Sequence, residues 1–166
     1  MTQRKRAEED LRRSEAFLAE AQRLTRTGSW AWDSRSQKVL YCSEEMFRIF
    51  GLDRENLPTR KRFRARVHPD DRARVDERFE RTLREKVDSF DAYSIVLPDG
   101  TLKYINSSGY PVLGDDGNLM AFVGTAVDVT ERKRAEEERE RLRQLEADLA
   151  HMNRLGMMGE LESLTE

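Results

Sequence analysis

The stretch Ala126-Val127-Asp128-Val129-Thr130-Glu131-Arg132-Lys133-Arg134 divides the chain into two kinds of sequence. Before it, apolar and polar residues alternate between clusters of turn residues, as in a sheet. After it no Pro occurs, and charged residues and Leu run on to the end, as in a long helix. Asp128 and Thr130 stand at the joint, where a short oxygen-bearing side chain can accept the free N–H groups of a helix start. The acid that follows suits the positive end of the helix dipole. A strand is therefore expected to pass almost directly into a helix, and a compact domain would report its state through that joint.

Upstream of the joint, Leu119 to Val129 reads as a strand, with Leu119, Ala121, Val123, Thr125 and Val127 alternating. The turns Pro98-Asp99-Gly100 and Gly114-Asp115-Asp116-Gly117 set off two more strands, Phe90 to Leu97 and Thr101 to Tyr110, in a meander. Val67-His68-Pro69-Asp70-Asp71 opens a helix whose Val75, Phe79 and Leu83 form one apolar stripe. The segment from Leu52 to Arg66, with Pro58 inside it, reads as irregular and basic. Gly28 to Asp33 alternates so that Trp30 and Trp32 share a face, and Ser34 to Gln37 turns the chain into a return strand, Lys38 to Cys42. Ser43 is an N-cap for a short helix carrying Met46, Phe47 and Phe50, which Gly51 ends. These elements predict an α+β domain: helices on one side of a five-stranded antiparallel sheet.

Both flanks read as helix. From Gln3 to Leu24 a weak heptad seam runs through Ala7, Leu11, Ser14, Leu18 and Ala21, stopped by Thr27-Gly28. From Thr130 to about Leu164, the residues Leu142, Leu145, Leu149 and Met152 are spaced 3, 4 and 3, a coiled-coil seam. Leu155, Met158, Leu161 and Leu164 then step by 3, so the heptad breaks near Gly156 and Gly159. The expected organisation is a linker helix over 1–24, a domain over 25–130 and a signalling helix over 131–166. Thr2-Gln3-Arg4-Lys5-Arg6-Ala7-Glu8-Glu9 recurs as Thr130-Glu131-Arg132-Lys133-Arg134-Ala135-Glu136-Glu137 with one difference, as if the first helix left a preceding domain of the same kind.

Composition narrows the function. The chain is 37% charged with a net charge of -2, which argues against a nucleic-acid binder with its one-signed patch. One cysteine excludes an internal disulfide, and no apolar run is long enough to enter a membrane, so a cytoplasmic chain is expected.

Gly28-Ser29-Trp30-Ala31-Trp32-Asp33, Phe47-Arg48-Ile49-Phe50-Gly51, Arg66-Val67-His68-Pro69-Asp70-Asp71-Arg72, Pro98-Asp99-Gly100 and Asp128-Val129-Thr130-Glu131-Arg132 together resemble a PAS domain. The subclass resembled has a His-Pro-Asp-Asp helix start and a closing Asp-x-Thr. The resemblance covers about Leu24 to Thr130. It implies a sheet cupping a small cavity, signal transfer through flanking helices, and dimerisation in which both helices pair in parallel. Leu149-Ala150-His151-Met152-Asn153-Arg154-Leu155 with Met158-Gly159-Glu160-Leu161 resembles the helix that leads into the phosphoacceptor domain of sensor histidine kinases. Ser163-Leu164-Thr165-Glu166 is close to the box that follows there, but the phosphoacceptor His is absent. The resemblance implies a parent histidine kinase acting on a response regulator, while this chain has no catalytic residue of its own. Two other readings stand beside it: a ligand-free dimerisation spacer, and a sensor for another output such as a diguanylate cyclase or a chemoreceptor.

Candidate sites are few. His151 lacks the neighbouring acid that a phosphoacceptor His uses, which leaves it a solvated helix position. His68 reads as a residue that packs or caps a helix start, since haem-binding relatives carry their ligand within the long helix and Asp71 to Lys86 has no His. Tyr41-Cys42-Ser43-Glu44 does not match the Asn-Cys-Arg-Phe-Leu-Gln stretch of flavin photosensors. No cofactor motif is evident, and no metal site is expected. Met46, Phe47, Phe50, Val75, Phe79, Tyr93, Ile95, Tyr104, Ser107 and Thr125 either line a cavity for a small molecule or simply fill the core. Trp30 and Trp32 read as sheet-face residues. Asp128 and Thr130 are the expected signal couplers.

Overall fold

Thr27–Asp33 (β1), Lys38–Cys42 (β2), Ser89–Val96 (β3), Leu102–Leu113 (β4) and Leu119–Asp128 (β5) form one antiparallel sheet in the order β2-β1-β5-β4-β3. The computed structural model describes the backbone of residues 2–164 and the side chains of 2–159. Gln3–Thr25 (α1) precedes the sheet; Glu44–Phe50 (α2), Arg60–Arg66 (α3) and Pro69–Glu85 (α4) lie between β2 and β3; Thr130–Leu164 (α5) follows. The α+β fold with a five-stranded antiparallel sheet is the one expected. The chain divides into two units, Met1–Val129 and Thr130–Glu166.

In the first unit, burial alternates along the strands. Trp32, Ile95, Ile105, Phe122 and Ala126 are buried and form one face with α2, whose Met46, Phe47, Ile49 and Phe50 pack against it. Phe90, Tyr110, Val112 and Val123 are exposed on the other. This corrects the reading of β5: its buried residues are Phe122, Gly124 and Ala126, so the alternating set that contains Val123 lies on the outer face. Gly28 lets β1 approach α2, since a Cβ there would stand 2.8 Å from the Met46 Cα.

Caps tie the helices to the sheet. Ser43 Oγ accepts from Met46 N at 3.3 Å and from Ser29 N at 2.9 Å, so one hydroxyl both starts α2 and holds it to β1. His68 Nδ1 accepts from Asp70 N at 3.2 Å, making His68 the N-cap of α4. Its backbone N–H donates to Ser94 O at 2.8 Å, and Asp71 Oδ2 accepts from Ser94 N at 2.9 Å, pinning the start of α4 to β3.

Two boundaries differ from expectation. Arg60–Arg66 is a helix, α3, not an irregular segment: Thr59 Oγ1 caps it by accepting from Arg62 N at 3.3 Å, and Arg, Lys and Ala are good helix formers. Pro58 lies before the cap and so breaks nothing. Helix α1 ends at Arg26, which caps it in the left-handed conformation, and Thr27-Gly28 already belongs to β1.

Helix α5 is a single helix of 35 residues whose charges pair along it, as in Arg141 with Glu138 at 2.7 Å and Arg143 with Glu140 at 2.9 Å. Leu142, Leu145, Leu149 and Met152 are exposed on it. The side chains of Leu161 and Leu164, and the segment Ser163-Leu164-Thr165-Glu166, lie outside the fully described residues.

Candidate cavity and exit joint

A cavity of about 170 Å³ opens between α3, α4 and the inner face of the sheet. Of the ten residues proposed from sequence to line it, the structure places Met46, Phe50, Val75, Phe79, Tyr93 and Ser107 there. Phe47 and Ile95 are instead packed in the core cluster with Cys42 and Ile105. Tyr104 and Thr125 sit on the opposite face: Tyr104 is in register with Ser94, and Thr125 with Ser29 and Ser108, one position out of phase with the inward Trp30, Gly124 and Gly109. A shift of one residue changes the face.

The floor of the cavity is built on glycine. Trp30, Gly124 and Gly109 are directly paired across β1, β5 and β4. A Cβ on Gly124 would stand 2.6 Å from Trp30 Cζ2 and 2.0 Å from Ser108 O, and one on Gly109 would stand 3.4 Å from Trp30 Cη2. The indole of Trp30 therefore lies over two residues that have no side chain, which keeps it low and leaves room above.

The wall is aromatic. Trp32 and Phe79 meet edge to face, with centroids 5.5 Å apart and planes at 83°. Trp32 is 6% exposed, and its buried Nε1–H finds no acceptor among the described residues. The Arg60 guanidinium lies 3.7 Å from the centre of the Phe79 ring, a cation–π contact. Its carboxylate, Asp76, is 3.9 Å away and is held more closely by Arg64 at 2.7 Å. Burial lowers the pKa of Arg60 from the ordinary arginine value, with Asp76 and Glu80 working against it. Burial pushes the Tyr93 hydroxyl up to about 12, opposed by a hydrogen bond with Ser107, so it stays neutral. Arg60, Phe63, Gly109 and Gly124 were not among the residues singled out from sequence; the Thr59 cap before a run of helix formers was the signal for the first two.

The joint at the end of the first unit brings its two chain ends together. Asp128 N donates to Arg26 O at 2.9 Å, linking the end of β5 to the cap of α1. The Asp128 carboxylate lies 3.9 Å from Lys103 Nζ, which donates to Ile49 O on α2 at 2.9 Å. Val129 N donates to Tyr104 O at 2.9 Å, and Thr130 is the first residue of α5. His151 is exposed on α5, and burial pushes the Cys42 thiol, which does not line the cavity, up to about 12. Among the described residues, no His, Cys, Asp and Glu side chains cluster to hold a metal, and no helix is long and apolar enough to cross a membrane.

The family described as the PAS fold matches residues 39–126, a little over half of the chain. The N-terminal domain of a diguanylate cyclase with a PAS/PAC sensor from Marinobacter aquaeolei superposes with a TM-score of 0.60 at 19% identity, over 64% of this chain and 98% of that one. A sensory box histidine kinase/response regulator structure from Burkholderia thailandensis superposes with a TM-score of 0.58 at 29% identity, over 76% of this chain and 98% of that one. The uncharacterised protein y4lL of Sinorhizobium fredii is 40% identical over 75 residues, 44% of this chain; the match spans only 9% of that relative.

Proposed function

The chain belongs to the PAS fold family, and from that premise we propose that it is the sensor and dimerisation module of a two-component sensor histidine kinase. In this reading a small molecule in the cavity shifts the inner face of the sheet, and the joint at Asp128 and Thr130 passes the change to α5. The observation that carries the reading is the bonding at Asp128, where the end of β5, the cap of α1 and, through Lys103, α2 are tied together. A change at any of the three has a short physical route to the start of α5. The 29% identity with the histidine kinase structure supports a kinase output over the cyclase, whose likeness at 19% is one of fold. Fold by itself does not set output.

The exposed Leu142, Leu145, Leu149 and Met152 would pair with the same residues of a second copy in a parallel coiled coil. Phosphoryl chemistry would then belong to the parent kinase core and its response regulator, in the cytoplasm, and not to this chain.

The test is autophosphorylation of the full-length protein with Asp128→Ala or Thr130→Ala. Each variant is expected to change basal activity by about fivefold or more, the range of ordinary coupling energies. Unchanged activity in both would contradict the coupling role, and a full-length protein that takes no phosphate from ATP would contradict the kinase output.

A further inference from the structure

We propose that the cavity takes a small single-ring aromatic acid, its ring among Trp30, Trp32 and Phe79 and its carboxylate at Arg60. The assignment rests on the sensing role argued above and names the class of molecule sensed.

Size comes first. A cavity of about 150 Å³ holds benzene, so the 170 Å³ here suits one ring with a short substituent. A flavin or a porphyrin is several times larger. Shape and polarity agree, because the walls are aromatic faces and edges, which a flat ring contacts best.

The polar groups decide the rest. Trp32 Nε1–H is buried and meets no acceptor among the described residues, and a buried donor of this kind is costly unless something accepts from it. Among the described residues the Arg60 guanidinium, 43% exposed, has no side-chain hydrogen bond; its Asp76 stands at 3.9 Å and is already engaged by Arg64. The lining holds three guanidiniums (Arg60, Arg64, Arg78) against two carboxylates (Asp76, Asp91), one positive charge in excess. Phe79 touches both open donors, with Trp32 edge to face and Arg60 over its ring. A molecule beside Phe79 that carries both a ring and a carboxylate answers both, since a guanidinium at the mouth of the cavity pairs with a carboxylate through directional, charge-assisted hydrogen bonds.

The test uses this chain, with sodium benzoate as the acid and benzamide as a neutral probe of the same shape. Trp30 and Trp32 are the only tryptophans and both line the cavity, so intrinsic fluorescence reports its occupancy directly, alongside calorimetry. Benzoate is expected to bind at least ~10-fold more tightly than benzamide, a margin typical of one charged contact. Arg60→Met is expected to abolish that margin while leaving benzamide binding unchanged; Arg60→Lys, which keeps the charge, is expected to restore part of it. Trp32→Phe, which removes the N–H, is expected to weaken both probes. If Arg60→Met does not give a cooperative thermal transition, Arg60→Gln serves for the same comparison. Equal binding of the two probes, unaffected at Arg60, would overturn the acid assignment and leave the sensing role standing. Binding of neither up to about 10 mM, to protein first unfolded and refolded to release any bound molecule, would overturn the aromatic-acid assignment and leave the sensing role standing.

Discussion

Gly124 sets how much room the domain has. On the inner face of the central strand, a methyl group there meets Ser108 O and the Trp30 indole well inside contact distance, and neither backbone nor floor can give way cheaply. Gly124→Ala is therefore expected to lower stability by about 1–3 kcal/mol, the usual cost of overpacking a core. Gly109→Ala, whose Cβ would stand at 3.4 Å, is expected to cost less than half as much. Urea denaturation of the two variants makes the comparison; equal losses would mean that Trp30 does not rest on this floor. The paired Trp30 and Trp32 on one face were legible, because alternation in Gly28 to Asp33 has one reading. Gly124 was not, because a glycine has no side chain for a pattern to register. The alternation in β5 was accordingly taken from its other residues, and Thr125 was assigned to the cavity.

At the scale of elements, α2 and α4, whose starts carry acids in the first turn as well as a cap, were read correctly. Ser43 before α2 and Pro69 with its two acids in α4 carry signals that depend on a few adjacent residues. Helix α3 offers a single apolar residue, Phe63, on the sheet side, so no period could mark it, and the cavity wall it supplies was missed with it. Helix α5 is the opposite case. Its seam is plain in the sequence, and the helix leaves Leu145 45% and Leu149 59% exposed, a burden that a second copy would relieve. Leu149→Glu is expected to weaken self-association by about 10-fold or more, as charges at a central seam position do. Ala147→Glu, away from the seam, is expected to leave it unchanged. Sedimentation equilibrium of both variants decides this, and identical behaviour would remove the coiled-coil interface from the account.

On the proposed function, the whole molecule is a relay between two helices of related sequence. Thr2 caps α1 by accepting from Lys5 N at 3.3 Å, and its counterpart in the repeat, Thr130, begins α5. A hydrogen bond joins the cap of α1 to the last residue of β5, so on the proposed function input and output share an anchor in the fold. On our reading, a change in α1 acts on the joint through its cap while a ligand acts on it through the sheet. The central claim is that this chain is a dimeric sensor with an occupied cavity. Native mass spectrometry of the freshly purified protein tests it most directly. The account predicts a dimer carrying a reproducible added mass of ~100–200 Da per chain, what a cavity of this size holds. A bare chain at the mass of one protomer would contradict it.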